Sequence, residues 1–146
     1  KEIKLNDAAE QLEELLKNAV RLRLRADFKV AAYLSGGIDS SATTAFIKDI
    51  EPGILNTFSI GFDEKDFDES RCQKEAVEYF STKHRSVSCS SDSIAHLFPK
   101  VIWHSETAVT RTAPAPMMIL SELVRENNIK VVITGLTRNQ FGRKLM

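Results

Sequence analysis

Short apolar runs alternate with helix-spaced stretches along this chain, and that alternation leaves few folds open. Val30-Ala31-Ala32-Tyr33-Leu34, Leu55-Asn56-Thr57-Phe58-Ser59-Ile60 and Ile129 to Thr134 each read as a buried strand. The first is stopped by Ser35-Gly36-Gly37, the others by Gly61 and Gly135, and Arg85 to Ser90 is a weaker fourth. Between them, apolar residues recur at the helical period. Asp7 and Glu10 form a start signal, after which Leu12, Leu15, Leu16, Ala19 and Val20 keep helical spacing toward Arg21, Arg23 and Arg25. A second helix is expected from about Asp39 to Asp49, broken by Pro52-Gly53. A third follows the capping signal of Asp66 and Glu69, with Cys72, Ala76 and Phe80 on one face. Ile94, Leu97, Phe98, Val101 and Ile102 mark a fourth, which Pro99 is expected to break or restart. Ile119, Leu120, Leu123 and Val124 mark a fifth, ending near Asn127-Asn128. Strands joined through helices pair in parallel, because a parallel neighbour needs a long crossover. The expected fold is α/β: a parallel, twisted, Rossmann-like sheet of about five strands with helices on both faces. The 146 residues suit one domain, with no linker dividing positions 1–146.

The chemistry concentrates in Leu34-Ser35-Gly36-Gly37-Ile38-Asp39-Ser40-Ser41, between the first strand and the second helix. Two adjacent glycines permit backbone conformations closed to other residues and a close approach to a ligand. The helix that follows presents unpaired N–H groups and the positive end of its dipole. Ser35, Ser40 and Ser41 add hydroxyls at the same place. This combination suits a phosphate or pyrophosphate group. Asp39 is the odd member, since a carboxylate beside phosphates repels them unless a cation intervenes; Mg²⁺ bridging it to a nucleotide resolves the conflict. The plainer alternative is a strand-to-helix turn with Gly-Gly at the bend and Asp39 as a cap. The full string after a buried strand favours the phosphate loop. It lacks the lysine of a Walker A loop and the spacing of the G-x-G-x-x-G fingerprint.

Charge points the same way. Twenty basic and twenty acidic side chains cancel, so nothing indicates a nucleic-acid or anionic-membrane partner. Arg21, Arg23 and Arg25 then read as a solvated helix end. No apolar run approaches the roughly 20 residues that span a bilayer. Cys72 and Cys89 stand in no metal-ligand spacing, which suggests a reduced, cytoplasmic setting with both thiols structural. His84, His96 and His104 also lack metal-ligand spacing and read as structural or surface residues, and Met117 and Met118 as helix packing.

Ser35-Gly36-Gly37-Ile38-Asp39-Ser40 resembles the pyrophosphate-binding signature of the N-type ATP pyrophosphatases. Further stretches are similar to the synthetase domain of glutamine-dependent asparagine synthetases. They are Ala19 to Leu22, Arg25-Ala26-Asp27, Thr57 to Phe62, Trp103 to Thr107, Arg111 to Pro116 and Lys130 to Gly135, in that order along nearly the whole chain. The resemblance implies an adenine nucleotide alpha hydrolase-like fold and an ATP-consuming amide synthesis. In that reaction the side-chain carboxylate of aspartate attacks the α-phosphorus of ATP, pyrophosphate leaves, and ammonia displaces AMP to give asparagine. It further implies that Ser35, Gly36, Gly37 and Ser40 cradle the pyrophosphate, with Asp39 as the catalytic residue that helps to hold Mg²⁺. Leu34, Ile60, Thr134 and Gly135 would line the adenosine pocket. Glu106 and Arg111 would face aspartate or nucleotide, a surface ion pair being the alternative. The implied ligands are ATP, Mg²⁺, aspartate and ammonia, and the implied partner is a glutaminase domain or subunit.

One stretch departs from the family pattern. After Thr134-Gly135 the family reads Gly-Glu-Gly-x-Asp-Glu, whereas Leu136 stands here at the glutamate position and Asn139 and Gln140 replace the acidic pair. An amide brings no charge to a metal and cannot serve as a base. The chain opens with Lys1-Glu2 rather than a glutaminase cysteine and stops at Met146, so the glutaminase domain and the C-terminal extension are expected to be lacking. These departures favour, as alternatives, a non-catalytic nucleotide-binding fragment or a degenerate paralogue. A β-lactam-forming synthetase shares the loop, as does a tRNA-thiolating relative, but the latter calls for a basic surface and reactive cysteines.

Overall fold

The computed structural model describes residues 4–63 and 70–135. The capping signal of Asp66 and Glu69, and the altered stretch with Leu136, Asn139 and Gln140, lie outside those residues. The order is α1 (Leu5–Leu24), β1 (Val30–Tyr33), α2 (Ile38–Ile50), β2 (Asn56–Phe62), α3 (Ser70–Phe80), β3 (Lys83–Cys89), α4 (Ser91–Ser105), α5 (Pro114–Glu126) and β4 (Val131–Ile133). The strands form one parallel sheet in the order β3-β2-β1-β4. Among the described residues the sheet has four strands rather than about five, one for each apolar run.

Side chains alternate across a strand, and here the alternation separates two cores. Ala32 of β1 and Ile133 of β4 face Val20 and Leu24 of α1 and Ile47 of α2. Their neighbours Ala31 and Val132 point the other way, with Phe58, toward Leu120 and Val124 of α5. Helices therefore cover both faces, as a sheet buried on both sides requires. α4 packs on α5 and is tied to it by Lys100 Nζ to Glu122 Oε1 at 3.1 Å.

Two helices depart from expectation. Pro99 sits inside α4 without breaking it. Proline removes one backbone donor, but the Ser90–Ser93 capping box fixes the start and Val101 is buried beyond the proline, so the helix continues. In α1, the helix starts at Leu5 without a side-chain cap, and only Val20 and Leu24 are buried. Leu12, Leu15 and Leu16 keep their helical spacing but face solvent, because α2 underlies only the second half of the helix.

β2, β3 and α3 enclose a chain of polar groups. Thr82 and Thr57 hydroxyls are 2.8 Å apart, Thr57 Oγ1 is 3.0 Å from His84 Nδ1, and His84 Nε2 is 3.0 Å from Ser59 Oγ. Ser59 donates to Gln73 Oε1 at 2.9 Å, and Gln73 Nε2 donates to the Ile60 carbonyl at 3.2 Å. Since Ser59 spends its proton on Gln73, it accepts from His84 Nε2–H, which leaves Nδ1 to accept from Thr57. His84 is thus a neutral structural histidine, and its burial lowers its pKa from the ordinary 6.5. No helix among the described residues is long and apolar enough to cross a membrane.

Candidate functional site

The order β3-β2-β1-β4 changes direction at β1, with β2 on one side of it and β4 on the other. Such a switch point opens a crevice at the carboxyl ends of the strands, where open α/β sheets take their ligands. The segment 34–37 leaves β1 at this crevice, and Thr134-Gly135 leaves β4 beside it. Their proximity is built into the backbone. A Cβ at Gly135 would lie 2.9 Å from the Asp39 carbonyl carbon and 3.0 Å from Ser40 N, so only glycine lets the end of β4 touch the first turn of α2.

The loop itself is braced from within. Leu34 N–H donates to the Phe58 carbonyl at 2.9 Å, which carries the sheet one residue past β1. Ser40 Oγ donates to the Gly37 carbonyl at 3.0 Å and accepts from Ser35 N at 3.3 Å. Ser35 Oγ lies 3.1 Å from Ser40 Oγ and accepts from Gly37 N at 3.3 Å. Gly36 takes a left-handed φ of +84°, and a Cβ there would fall 2.6 Å from the Cys72 carbonyl carbon and 2.7 Å from Gln73 N. The loop thus rests against the first turn of α3, next to the glutamine that terminates the buried polar chain. Gly37 is the N-cap of α2 and no side-chain hydrogen bond caps that end. The first N–H groups of a 13-residue helix therefore meet the crevice.

The expected site residues divide by position. Ser35, Gly36, Gly37, Asp39, Ser40, Thr134 and Gly135 come together around the start of α2. Asp39 is exposed at the second position of the helix, and Ser35 is exposed, while Ser40 is buried as the brace. Leu34 is wholly buried, so its side chain belongs to the core. Ile60 lies on the adjoining strand, two residues beyond Phe58, where β2 outruns β1. Glu106 and Arg111 are not held as a pair. Glu106 caps the far end of α4 with φ 50°, a 15-residue helix or about 22 Å from the strand ends. Arg111 precedes Thr112, which lies at the carboxyl ends of β2 and β3 with Phe62 and Cys89.

That last position is a cavity of about 560 Å³, lined by Phe62, Asp63, Cys89, Ser90, Ser91, Asp92, Thr112 and Pro116 among others. The Ser88 hydroxyl donates to Asp63 at its rim. Sequence reasoning missed it, although β2 and β3 were both placed. The signal was available: Asp63 and Asp92 each stand within three residues of a strand's end. Among the described residues, no three His, Cys, Asp or Glu side chains gather to form a metal site. Asp39 is a single exposed carboxylate at the loop, which fits Mg²⁺ held through one carboxylate and the phosphates of its nucleotide.

The sheet order, the crevice and its glycine-built loop define an adenine nucleotide alpha hydrolase-type fold. Solved structures share it. An NH3-dependent NAD synthetase from Campylobacter jejuni aligns over 90% of this chain and 58% of its own, with a TM-score of 0.60 at 14% identity. The U34-tRNA thiolase NcsA of Methanococcus maripaludis covers 84% of this chain and 44% of its own, with a TM-score of 0.55 at 18% identity. Within that fold the chain belongs to the asparagine synthase family, whose model matches residues 11–137. Among curated relatives, the amidase chyE of Penicillium rubens is 33% identical over 82% of this chain and 20% of its own length. Asparagine synthetase [glutamine-hydrolyzing] 1 of Bacillus subtilis is 27% identical over 86% of this chain and 20% of its own. The rat asparagine synthetase [glutamine-hydrolyzing] is 31% identical over 82% and 22%. The chain thus spans about one fifth of the length of these relatives.

Proposed function

We propose that this domain binds Mg·ATP at the loop between β1 and α2 and activates a carboxylate, that of the aspartate side chain, for amide synthesis. The observation that carries this reading is the meeting of the uncapped start of α2, the Gly36-Gly37 bend and the close-packed Gly135 at one crevice. Backbone N–H groups of the first turn of α2 hold the β- and γ-phosphates, and on binding Ser35 would redirect to them the proton that it gives to Ser40 Oγ in the free loop. Ser40 keeps the loop in shape. Asp39 holds Mg²⁺, which supplies charge neutralisation for the departing pyrophosphate. The adenosine lies over the ends of β1, β2 and β4, beside the backbone of Leu34 and beside Ile60 and Thr134.

In the first step a carboxylate oxygen of aspartate bonds to the α-phosphorus and the bond from that phosphorus to the bridging oxygen breaks, releasing pyrophosphate. Ammonia then attacks the acyl carbon, and AMP leaves as the amide forms. Holding two anions in line is the main physical task, and fixed backbone dipoles perform it without reorganising. The cavity beyond β2 and β3 offers Asp63 and Asp92, a lining that suits the ammonium of an amino-acid substrate. A glutaminase domain or subunit would supply the ammonia, and a cytoplasmic setting accords with two free thiols.

Leu136, Asn139 and Gln140 favour a second reading, in which the domain binds the nucleotide without turning it over. Pyrophosphate release with ATP, aspartate and ammonia separates the two. Aspartate-dependent release supports the ligase, and ATP binding without it supports the non-catalytic reading.

A further inference from the structure

Gln73, near the start of α3, is a polar side chain only 8% exposed, and it reaches the end of β2. Along β2 successive residues turn their backbone groups to opposite neighbours. Lys83 N–H donates to the Leu55 carbonyl on the β3 side, and Leu34 N–H to the Phe58 carbonyl on the β1 side, each at 2.9 Å. Ile60, two residues beyond Phe58, therefore turns its carbonyl to the β1 side, past Tyr33, where β1 has ended. That carbonyl opens on the crevice, and the Gln73 carboxamide stands in for the missing strand. Its Nε2 donates to Ile60 O at 3.2 Å, and its Oε1 accepts from Ser59 Oγ at 2.9 Å. A carbonyl can only accept, so the contact with Ile60 decides which end of the amide is which. Ser59 must then donate to Oε1 and accept from His84 Nε2–H, so the polar chain back to Thr82 takes its direction from Ile60.

The same residue carries the phosphate loop. Its main-chain N lies 2.7 Å from the place a Cβ would occupy at Gly36, so loop and helix meet backbone to backbone. Gln73 thus touches the phosphate end of the crevice through its main chain and the adenosine end through its side chain. We infer that Gln73 is a positioning residue for the nucleotide: it holds the Gly36 loop and the Ile60 end of β2 at one fixed separation. ATP reaches both ends and is bound in register only when that separation is kept, whereas pyrophosphate needs the loop alone. The inference rests on the crevice being the ATP site. An apolar side chain of the same length would fill the space under the loop but leave the Ile60 carbonyl unanchored and the Ser59 hydroxyl without its acceptor.

Calorimetric titration of Mg·ATP and of Mg·pyrophosphate into the intact chain, Gln73→Met and Ser59→Ala tests this, with thermal melting as the control for folding. Gln73→Met should bind ATP at least about tenfold more weakly and pyrophosphate within about twofold of the parent. Ser59→Ala breaks the polar chain but keeps the Gln73–Ile60 contact, so it should melt lower yet hold both affinities within about threefold. A residue that merely stabilised the domain would move the two ligands together, and equal losses, or none, overturn the inference. A parent that binds neither ligand overturns the nucleotide reading itself, a result distinct from a parent that binds ATP no better than Gln73→Met. If Gln73→Met does not fold, ¹⁵N-resolved NMR of the parent decides: the Gln73 side-chain amide signal should shift on saturation with ATP and stay in place with pyrophosphate. A signal that bound ATP leaves unmoved overturns the inference.

Discussion

Replacing Gly36 with alanine adds one methyl group at the point where the phosphate loop touches α3. Two costs follow from its geometry. The backbone sits at φ +84°, a region that costs a residue with a Cβ about 1–2 kcal/mol. The new Cβ would lie 2.6 Å from the carbonyl carbon of Cys72 and 2.7 Å from Gln73 N, both main-chain atoms, so the loop or the first turn of α3 must move. Overpacking of this kind costs about 1–3 kcal/mol. Together they amount to about 3 kcal/mol, which for a domain of this size lowers Tm by about 6–12 °C. Gly37→Ala provides the internal control. Its φ of −72° is ordinary, and its nearest neighbour would be Ser35 Oγ at 3.4 Å, a normal contact. Its Tm stays within about 2 °C of the parent. Differential scanning calorimetry of the three proteins decides the matter. Equal melting of Gly36→Ala and Gly37→Ala would show that the loop does not rest on α3 as described.

Other consequences are simpler to read. His84 is neutral in the fold and binds its proton less readily than in the unfolded chain, because burial disfavours the charged form. The unfolded state therefore binds more protons below its pKa of about 6.5, and stability present above that pH declines as pH falls toward the lower folded value. Urea unfolding from pH 7.5 down to pH 5 should show this decline, and His84→Gln should flatten it; an unchanged slope would remove His84 as the cause. Cys72 is exposed and Cys89 is 1% exposed, so a thiol reagent should label one cysteine quickly in the native protein and the second only on unfolding. Two fast thiols would contradict the burial of the end of β3. Phe58 is wholly buried between β1 and α5, and its truncation to alanine should cost about 3–5 kcal/mol by urea unfolding. A smaller loss would mean that the α5 face closes over the cavity.

Much of this architecture was legible in the residues. Val30 to Leu34, Leu55 to Ile60 and Ile129 to Thr134 announced strands because β-branched and aromatic residues stand together before glycine stops, and each became one, shifted by a residue or two. The loop was legible for the same reason: Gly-Gly directly after a buried strand has few physical uses. Pro99 misled because a proline rule is local, whereas the capping box at Ser90 and the burial of Val101 act over the whole of α4. Leu12, Leu15 and Leu16 misled in the opposite sense. Periodicity shows that a helix has an apolar face, but not which neighbour covers it, and α2 meets a different face of α1. The cavity beside Asp63 and Asp92 and the chain from Thr82 to Gln73 were invisible, since both join residues from separate strands and helices whose register only the sheet supplies. Glu106 and Arg111 stand five positions apart in sequence, yet a full helix length separates Glu106 from the strand ends that Arg111 adjoins.

Binding of Mg·ATP to the intact chain, titrated calorimetrically beside Asp39→Asn, tests the nucleotide site most directly. Asp39 is exposed and makes no contribution to either core, so the variant should melt with the parent. Saturable binding to the parent, displaced by pyrophosphate and weakened at least about tenfold in Asp39→Asn, is the expected result. Equal affinity in the two proteins, or binding that pyrophosphate does not displace, would contradict a phosphate site at the start of α2.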